Sequence, residues 1–164
     1  MVHATAAAGL KGGRLRVGMI GGGRNAFIGA VHRMAMRLDN LIELKAGALS
    51  ADAENARASG ADLGLAPDRA YADYREMALR EADRPDGIEA AVIVTPNHLH
   101  FPVAKAFLEA GIDVICDKPL SATLAEASEL VALTRAKGLV FAVTLNNTGY
   151  PMVQIGRASC RERV

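Results

Sequence analysis

The sequence predicts a doubly wound α/β domain built on a parallel sheet, and two observations carry that expectation. Apolar runs of strand length alternate with longer stretches of helical periodicity along most of the chain, the pattern of right-handed βαβ units. The segments rich in glycine, proline and polar residues fall where those strands end. Sheets of this kind bind ligands beyond the carboxyl ends of their strands, near the point where strand order reverses. The chain has 164 residues, about one domain.

"RLRVGMI" (14–20) is a short strand running into glycines, and "AFIGAVHRMAMRL" has helical spacing. "LIELKAGALS" is strand-like, and "ADAENARASG" reads as a short helix closed by Gly60. "RAYADYREMALREA" gives a brief extended piece and then a helix. "IEAAVIVTP" is a buried strand stopped by Pro96, and "FPVAKAFLEAG" is a helix with Gly111 at its C-terminal end, a common stop. "IDVICDKP" is the next strand, "TLAEASELVALTRAKG" an amphipathic helix and "LVFAVTLN" a last strand.

Composition narrows the function classes. Apolar residues make up 51% of the chain, and 19 basic residues balance 18 acidic ones. This is the make-up of a soluble globular domain without the basic surplus of a nucleic-acid binder. The two cysteines lie far apart and give neither a disulfide framework nor a metal spacing. Residues 1–13 lack the basic and apolar regions of a signal peptide and are expected to be a disordered lead-in. No apolar run approaches the roughly 18 residues of a membrane span, so a cytoplasmic location is expected.

"VGMIGGGRNAFIGAVHR" places Gly21-Gly22-Gly23-Arg24-Asn25-Ala26 between the first strand and the first helix, in the G-x-G-x-x-A form of a dinucleotide fingerprint. Gly21 permits the tight turn, Gly23 lets the backbone approach a pyrophosphate, and the small Ala26 allows close helix–strand packing. The helix N-terminus offers N–H groups and a positive dipole end to phosphates. The second strand of such a domain ends in an acid that binds the ribose of NAD. Ser50 stands there instead, with Asp52 two residues on. A hydroxyl tolerates the 2′-phosphate of NADP, and Arg24 or Arg57 could supply charge. Equally, Ser50 could simply cap the next helix. NAD and NADP both remain open.

The later strands end in two polar loops. Thr95-Pro96-Asn97-His98-Leu99-His100 brings Thr95, Asn97 and His100 to the crevice, although Asn97 or His98 could serve only as helix caps. Asp117-Lys118-Pro119 follows the next strand. When an alcohol yields a hydride, its hydroxyl proton must also leave. A lysine can hold that oxygen and relay the proton if burial and nearby positive charge ready it to do so. The bland alternative is a solvated lysine at a strand end. Asp117 and Lys118, as neighbours along a strand, point to opposite faces, and Pro119 can permit a cis bond in a tight turn.

Together "VGMIGGGRNA", "IVTPNHLH" and "VICDKPL", in this order, resemble the N-terminal Rossmann-type NAD(P)-binding domain of the glucose–fructose oxidoreductase/inositol dehydrogenase (Gfo/Idh/MocA) family, over about 14–154. The resemblance implies cofactor contacts at Gly21, Gly23, Asn25, Ala26, Ser50, Thr95, Asn97 and His100, with Arg24, Pro96 and Asp117 beside them. It implies that Lys118 is catalytic and near the cofactor, and that Asn146 in "TLNNTGYPM" lies toward the nicotinamide. Asp117 stands where the family usually has glutamate, which keeps the charge and shortens the reach. The implied substrates are sugars, inositols and related polyols. The resemblance also implies a second α/β domain that completes the catalytic set and often forms a homo-oligomer. That domain is missing from this chain, which is expected to bind NAD or NADP without meaningful turnover. A stand-alone nucleotide-binding sensor or scaffold is the alternative.

The segment 155–164, "IGRASCRERV", departs from the family pattern and carries three arginines. The codons ATC GGA AGA GCG TCG TGT AGG GAA AGA GTG encode it and read through a sequencing-library adapter, so it is expected to be a non-native tail. Cys116 would then be the only native cysteine.

Overall fold

The computed structural model describes residues 13–161, so all of the lead-in but Gly13 lies outside the described residues. Five strands, β1 (Leu15–Gly21), β2 (Ile42–Ala48), β3 (Ala90–Val94), β4 (Asp113–Asp117) and β5 (Phe141–Thr144), form one sheet in the order β2-β1-β3-β4-β5. Every pairing is parallel. The helices are α1 (Phe27–Arg37), α2 (Ala53–Asp62), α3 (Tyr74–Asp83), α4 (His100–Glu109), α5 (Leu124–Lys137) and α6 (Pro151–Arg161). The architecture is the expected doubly wound, Rossmann-type α/β fold. The chain steps outward from β1 to β2 and then crosses back over β1 to β3. The strand order therefore reverses between β1 and β3, where Gly21 pairs with Val94.

Helices cover both faces of the sheet, and this is why β3 is apolar at every position and buried throughout. Ala91 and Ile93 face a core with Val103, Phe107 and Leu108 of α4, while Ala90, Val92 and Val94 face a second core with Val17, Met19 and Met36. Alternation along a strand sorts neighbouring residues into the two layers. The cover is thinner toward β5, where Ala142 is exposed and Ile115 of β4 only partly buried.

The extended piece before α3 amounts to a single parallel bridge, Ala70 on Gly47. A buried ionic cluster pins this edge. The Arg69 guanidinium binds the Glu81 carboxylate, with Nε 3.1 Å from Oε1, and also reaches Asp86 at 3.1 Å. The Tyr71 hydroxyl and the Ile88 amide donate to the remaining Glu81 lone pairs at 2.8 and 3.2 Å. Burial and the Glu81 carboxylate push the Tyr71 phenol up to about 12.

Two helix ends differ from expectation or sharpen it. Gly60 does not close α2; it lies inside the helix, where a Cβ would sit 2.7 Å from the Ala70 Cβ. The close approach to the edge segment, and not helix termination, needs glycine there, and the left-handed turn comes at Gly64 with φ +70°. At the start of α5, Thr123 and Glu126 form a reciprocal capping box. α6 runs continuously through the 154/155 boundary at which the non-native tail is expected to begin.

Candidate functional site

The turn from β1 into α1 is shaped by residues with left-handed backbones. Gly21 has φ +80°, Gly22 +73° and Asn25 +67°, conformations that favour glycine and are tolerated by asparagine. The close helix–strand packing assigned to Ala26 belongs to another pair. A Cβ on Gly29 would lie 2.4 Å from the Gly22 Cα, and one on Gly22 would lie 2.9 Å from the Gly29 Cα. Ala26 is instead the partly exposed N-cap of α1. Gly23 has an intrachain reason to be glycine, since its Cβ would fall 2.7 Å from both the Leu49 carbonyl and the Ser59 hydroxyl. Those same groups hold the loop: Gly23 N–H donates to Leu49 at 3.2 Å, and Arg24 N–H to Ser59 at 3.0 Å.

Among the described residues, no side chain caps the N-terminus of α1. Its first-turn N–H groups therefore lack the usual side-chain acceptor and keep the positive end of the helix dipole. A cavity of about 360 Å³ lies against this loop, lined among others by Gly22, Gly23, Asn25, Ala26, Ser59 and Asp62. It opens between α1 and α2, beside the crevice over the sheet, and Ser50, Thr95 and Lys118 do not line it. Arg24 is engaged by Asp62 in a two-pronged contact at 2.6 and 2.9 Å. That contact holds the Asp62 carboxyl below its ordinary range and the guanidinium above its own.

The capping question at β2 resolves against Ser50. Asp52 caps α2, accepting from the Asn55 amide at 2.7 Å. The Ser50 hydroxyl accepts from Asp52 N–H at 3.1 Å and Asn55 Nδ2 at 3.2 Å, so it shapes the turn before the cap.

Beyond β3, Thr95 packs against the glycine turn; a Cβ on Gly21 would lie 3.2 Å from its Cγ2. The Thr95 hydroxyl oxygen is buried and has no hydrogen-bond partner among the described residues. Pro96 and Asn97 are exposed, and neither the short 3-10 turn Asn97–Leu99 nor α4 has a side-chain cap. His100 is 1% exposed. Its Nε2 lies 3.0 Å from the Thr95 carbonyl oxygen and its Nδ1 2.6 Å from that of Pro119, so the ring faces inward and not out toward the crevice.

Beyond β4, Lys118 is exposed and the Lys118–Pro119 bond is cis. The Asp117 carboxylate is held at 2.9 Å by the Thr144 hydroxyl of β5, and His32 Nε2 of α1 lies 3.9 Å from it. Burial lowers the pKa of His32 against the opposing pull of Asp117. Cys116, on the other face of β4, is fully buried, and this pushes its thiol up to about 12. Asn146 is exposed at the start of the 3-10 turn Asn146–Gly149. Across the sheet, Ser50, Gly21, Thr95, Lys118 and Asn146 thus stand at or just beyond the ends of β2, β1, β3, β4 and β5 in spatial order.

Sequence reasoning missed Gly29, Leu49, Ser59 and His32. Gly29 left a signal, because glycine inside a helix costs about 1 kcal/mol relative to alanine and so marks a packing need. The other three left none. The uncapped helix, the left-handed turn and the orphaned Thr95 hydroxyl fit a dinucleotide laid across these strand ends.

The comparisons agree with that chemistry. Residues 15–145 match a family model described as the oxidoreductase family, NAD-binding Rossmann fold. An oxidoreductase of known structure from Sinorhizobium meliloti is 57% identical, with a TM-score of 0.79 over 85% of this chain and 39% of that one. An inositol dehydrogenase homologue from Azotobacter vinelandii, solved with NAD+ and with NADH and myo-inositol, is 42% identical with a TM-score of 0.87. It matches 92% of this chain, which covers 39–40% of that one. The uncharacterised oxidoreductase YfiI of Bacillus subtilis is 44% identical over 88% of this chain. The chain spans 37% of YfiI's length and about the same share of the two solved relatives. By the family match and the structure it describes, this chain belongs to the Gfo/Idh/MocA oxidoreductases and carries their NAD-binding Rossmann fold.

Proposed function

We propose that this chain is the nucleotide-binding part of an oxidoreductase that moves a hydride between nicotinamide and a carbinol carbon of a sugar, inositol or related polyol. The supporting observation is the row of strand ends, in which the glycine turn, the Thr95 loop and Lys118 stand at the ends of the adjacent strands β1, β3 and β4. Ser50 would hold the adenosine ribose, and the N–H groups around Asn25, Ala26 and the α1 N-terminus the pyrophosphate. Thr95, Pro96, Asn97 and Asn146 would line the nicotinamide side, with Asp117 fixing the approach of Lys118. The bound NAD or NADP supplies the hydride acceptor or donor. Lys118, exposed in the bare chain, would hold the substrate oxygen and take its proton once the bound nicotinamide and substrate cover it and set positive charge beside it. The substrate-binding remainder lies in the length that the relatives have beyond this chain, and the 164-residue chain binds cofactor without meaningful turnover.

The test compares Lys118→Ala with the parent in a protein extended to the relatives' length. NADH affinity should stay within about twofold while turnover falls by roughly 10²-fold or more, the scale of a lost general acid–base. Normal turnover in the variant would overturn the assignment.

A further inference from the structure

We propose that His100 is a positioning residue that clasps the Thr95 loop to the Lys118 loop from the core side, through the backbone carbonyls of Thr95 and Pro119. The proposal builds on the reading of Lys118 given above. The β3–β4 ladder ends at the pair Ile93 and Cys116. Neither Val94 and Thr95 on one strand nor Asp117 and Lys118 on the other is joined by that ladder. The imidazole bridges the gap, at 3.0 Å to one carbonyl and 2.6 Å to the other.

A carbonyl oxygen only accepts, so whichever ring nitrogen carries a proton donates to the carbonyl it faces, and either tautomer ties the ring to one of the two loops while it packs against the other. The position supports this role, because His100 opens α4 and is sealed from solvent. A polar ring buried there without partners would be costly. With the clasp closed, the residues on both sides of Lys118 are fixed. Thr144 holds the Asp117 carboxylate at 2.9 Å, and His100 holds the Pro119 carbonyl. Lys118 then projects from a short backbone span anchored at each end, and the Thr95 carbonyl is kept turned into the core.

The experiment uses isotopically labelled 164-residue chain as the parent, His100→Gln and His100→Ala. In the parent, a through-hydrogen-bond coupling should link the protonated ring nitrogen to the carbonyl it faces, that of Thr95 from Nε2 or that of Pro119 from Nδ1. In His100→Ala both carbonyl resonances should shift, and the Lys118 amide order parameter should fall from about 0.85 to below about 0.6. The Gly21–Ala26 amides should keep their parent values. Glutamine, which can still donate to one of the two carbonyls, should keep the Lys118 amide nearer its parent value than alanine does. Absence of both couplings in the parent overturns the clasp even if the alanine variant fails to fold, and so does a folded His100→Ala with an unaltered Lys118 amide. NADH titration of the parent is read separately: failure to bind would sink the dinucleotide reading and leave the clasp to be judged on the couplings.

Discussion

Replacing Gly29 by alanine tests how tightly the cofactor loop and its helix depend on each other. Two effects oppose. Alanine in place of a helix-interior glycine should stabilise α1 by about 1 kcal/mol. Its Cβ, however, would lie 2.4 Å from the Gly22 Cα and 2.6 Å from the Gly22 carbonyl oxygen. Both are backbone atoms of a turn tied to Leu49, so neither can swing aside as a flexible side chain would. Overpacking costs roughly 1–3 kcal/mol, with more where backbone must move, and it should win. A net loss of about 1–2 kcal/mol corresponds to a melting temperature lower by roughly 2–8 °C for a domain of this size. The displaced turn should also weaken NADH binding by about tenfold, equivalent to about 1.4 kcal/mol. Thermal unfolding and NADH titration of the same preparation measure both. Gly149→Ala, whose Cβ meets nothing within 4 Å, is the control and should change neither. Parent-like melting and parent-like affinity in Gly29→Ala would refute the packing argument.

Glu81→Gln should be among the most destabilising conservative changes in the chain. It takes from the buried Arg69 guanidinium its buried ionic partner and leaves only the exposed Asp86 carboxylate, at a cost of up to about 3–5 kcal/mol, and denaturant unfolding should show it. Replacing Arg69 and Glu81 together by apolar residues should recover much of that loss. Arg24→Ala, by contrast, removes an exposed pair and should alter stability by less than about 1 kcal/mol in the same assay. The Cys116 thiol, pushed up to about 12 by burial, should resist alkylation at pH 8 until the chain is unfolded, as peptide mass spectrometry would report. Because the fold favours its protonated form, this group's contribution to stability is present below the ordinary thiol value of about 8.5 and declines as pH rises above it.

Much of the fold was legible in the sequence because buried parallel strands such as "AAVIV" and helices such as α4 leave strong periodic patterns. The crevice was legible for a related reason: its loops follow directly from strand ends that the pattern identifies. What stayed hidden depends on contacts that strand and helix patterns do not specify, some of them between segments distant in sequence. Gly60 looks like a helix stop until Ala70 is seen against it, and Ala26 looks like the packing residue until Gly22 and Gly29 are seen in contact. Ser50 stands where a helix cap would be expected, but Asp52 makes the cap and Ser50 supports it. His100 shows the same limit most clearly. Its place in the Thr95–His100 loop suggests a residue facing the cofactor, whereas the fold turns its ring inward to two carbonyls that no local pattern could pair with it. The bridge at Ala70 is too short for any strand pattern to reveal its length.

Calorimetric titration of the 164-residue chain with NADH and NADPH asks whether the strand-end row binds a nicotinamide dinucleotide. Saturable one-to-one binding of at least one of them is expected. Gly21→Val should abolish it, because a branched side chain meets both a φ of +80° and the Val94 carbonyl 3.0 Å from its Cβ. A folded chain that binds neither nucleotide, or a folded Gly21→Val that binds as well as the parent, would contradict it.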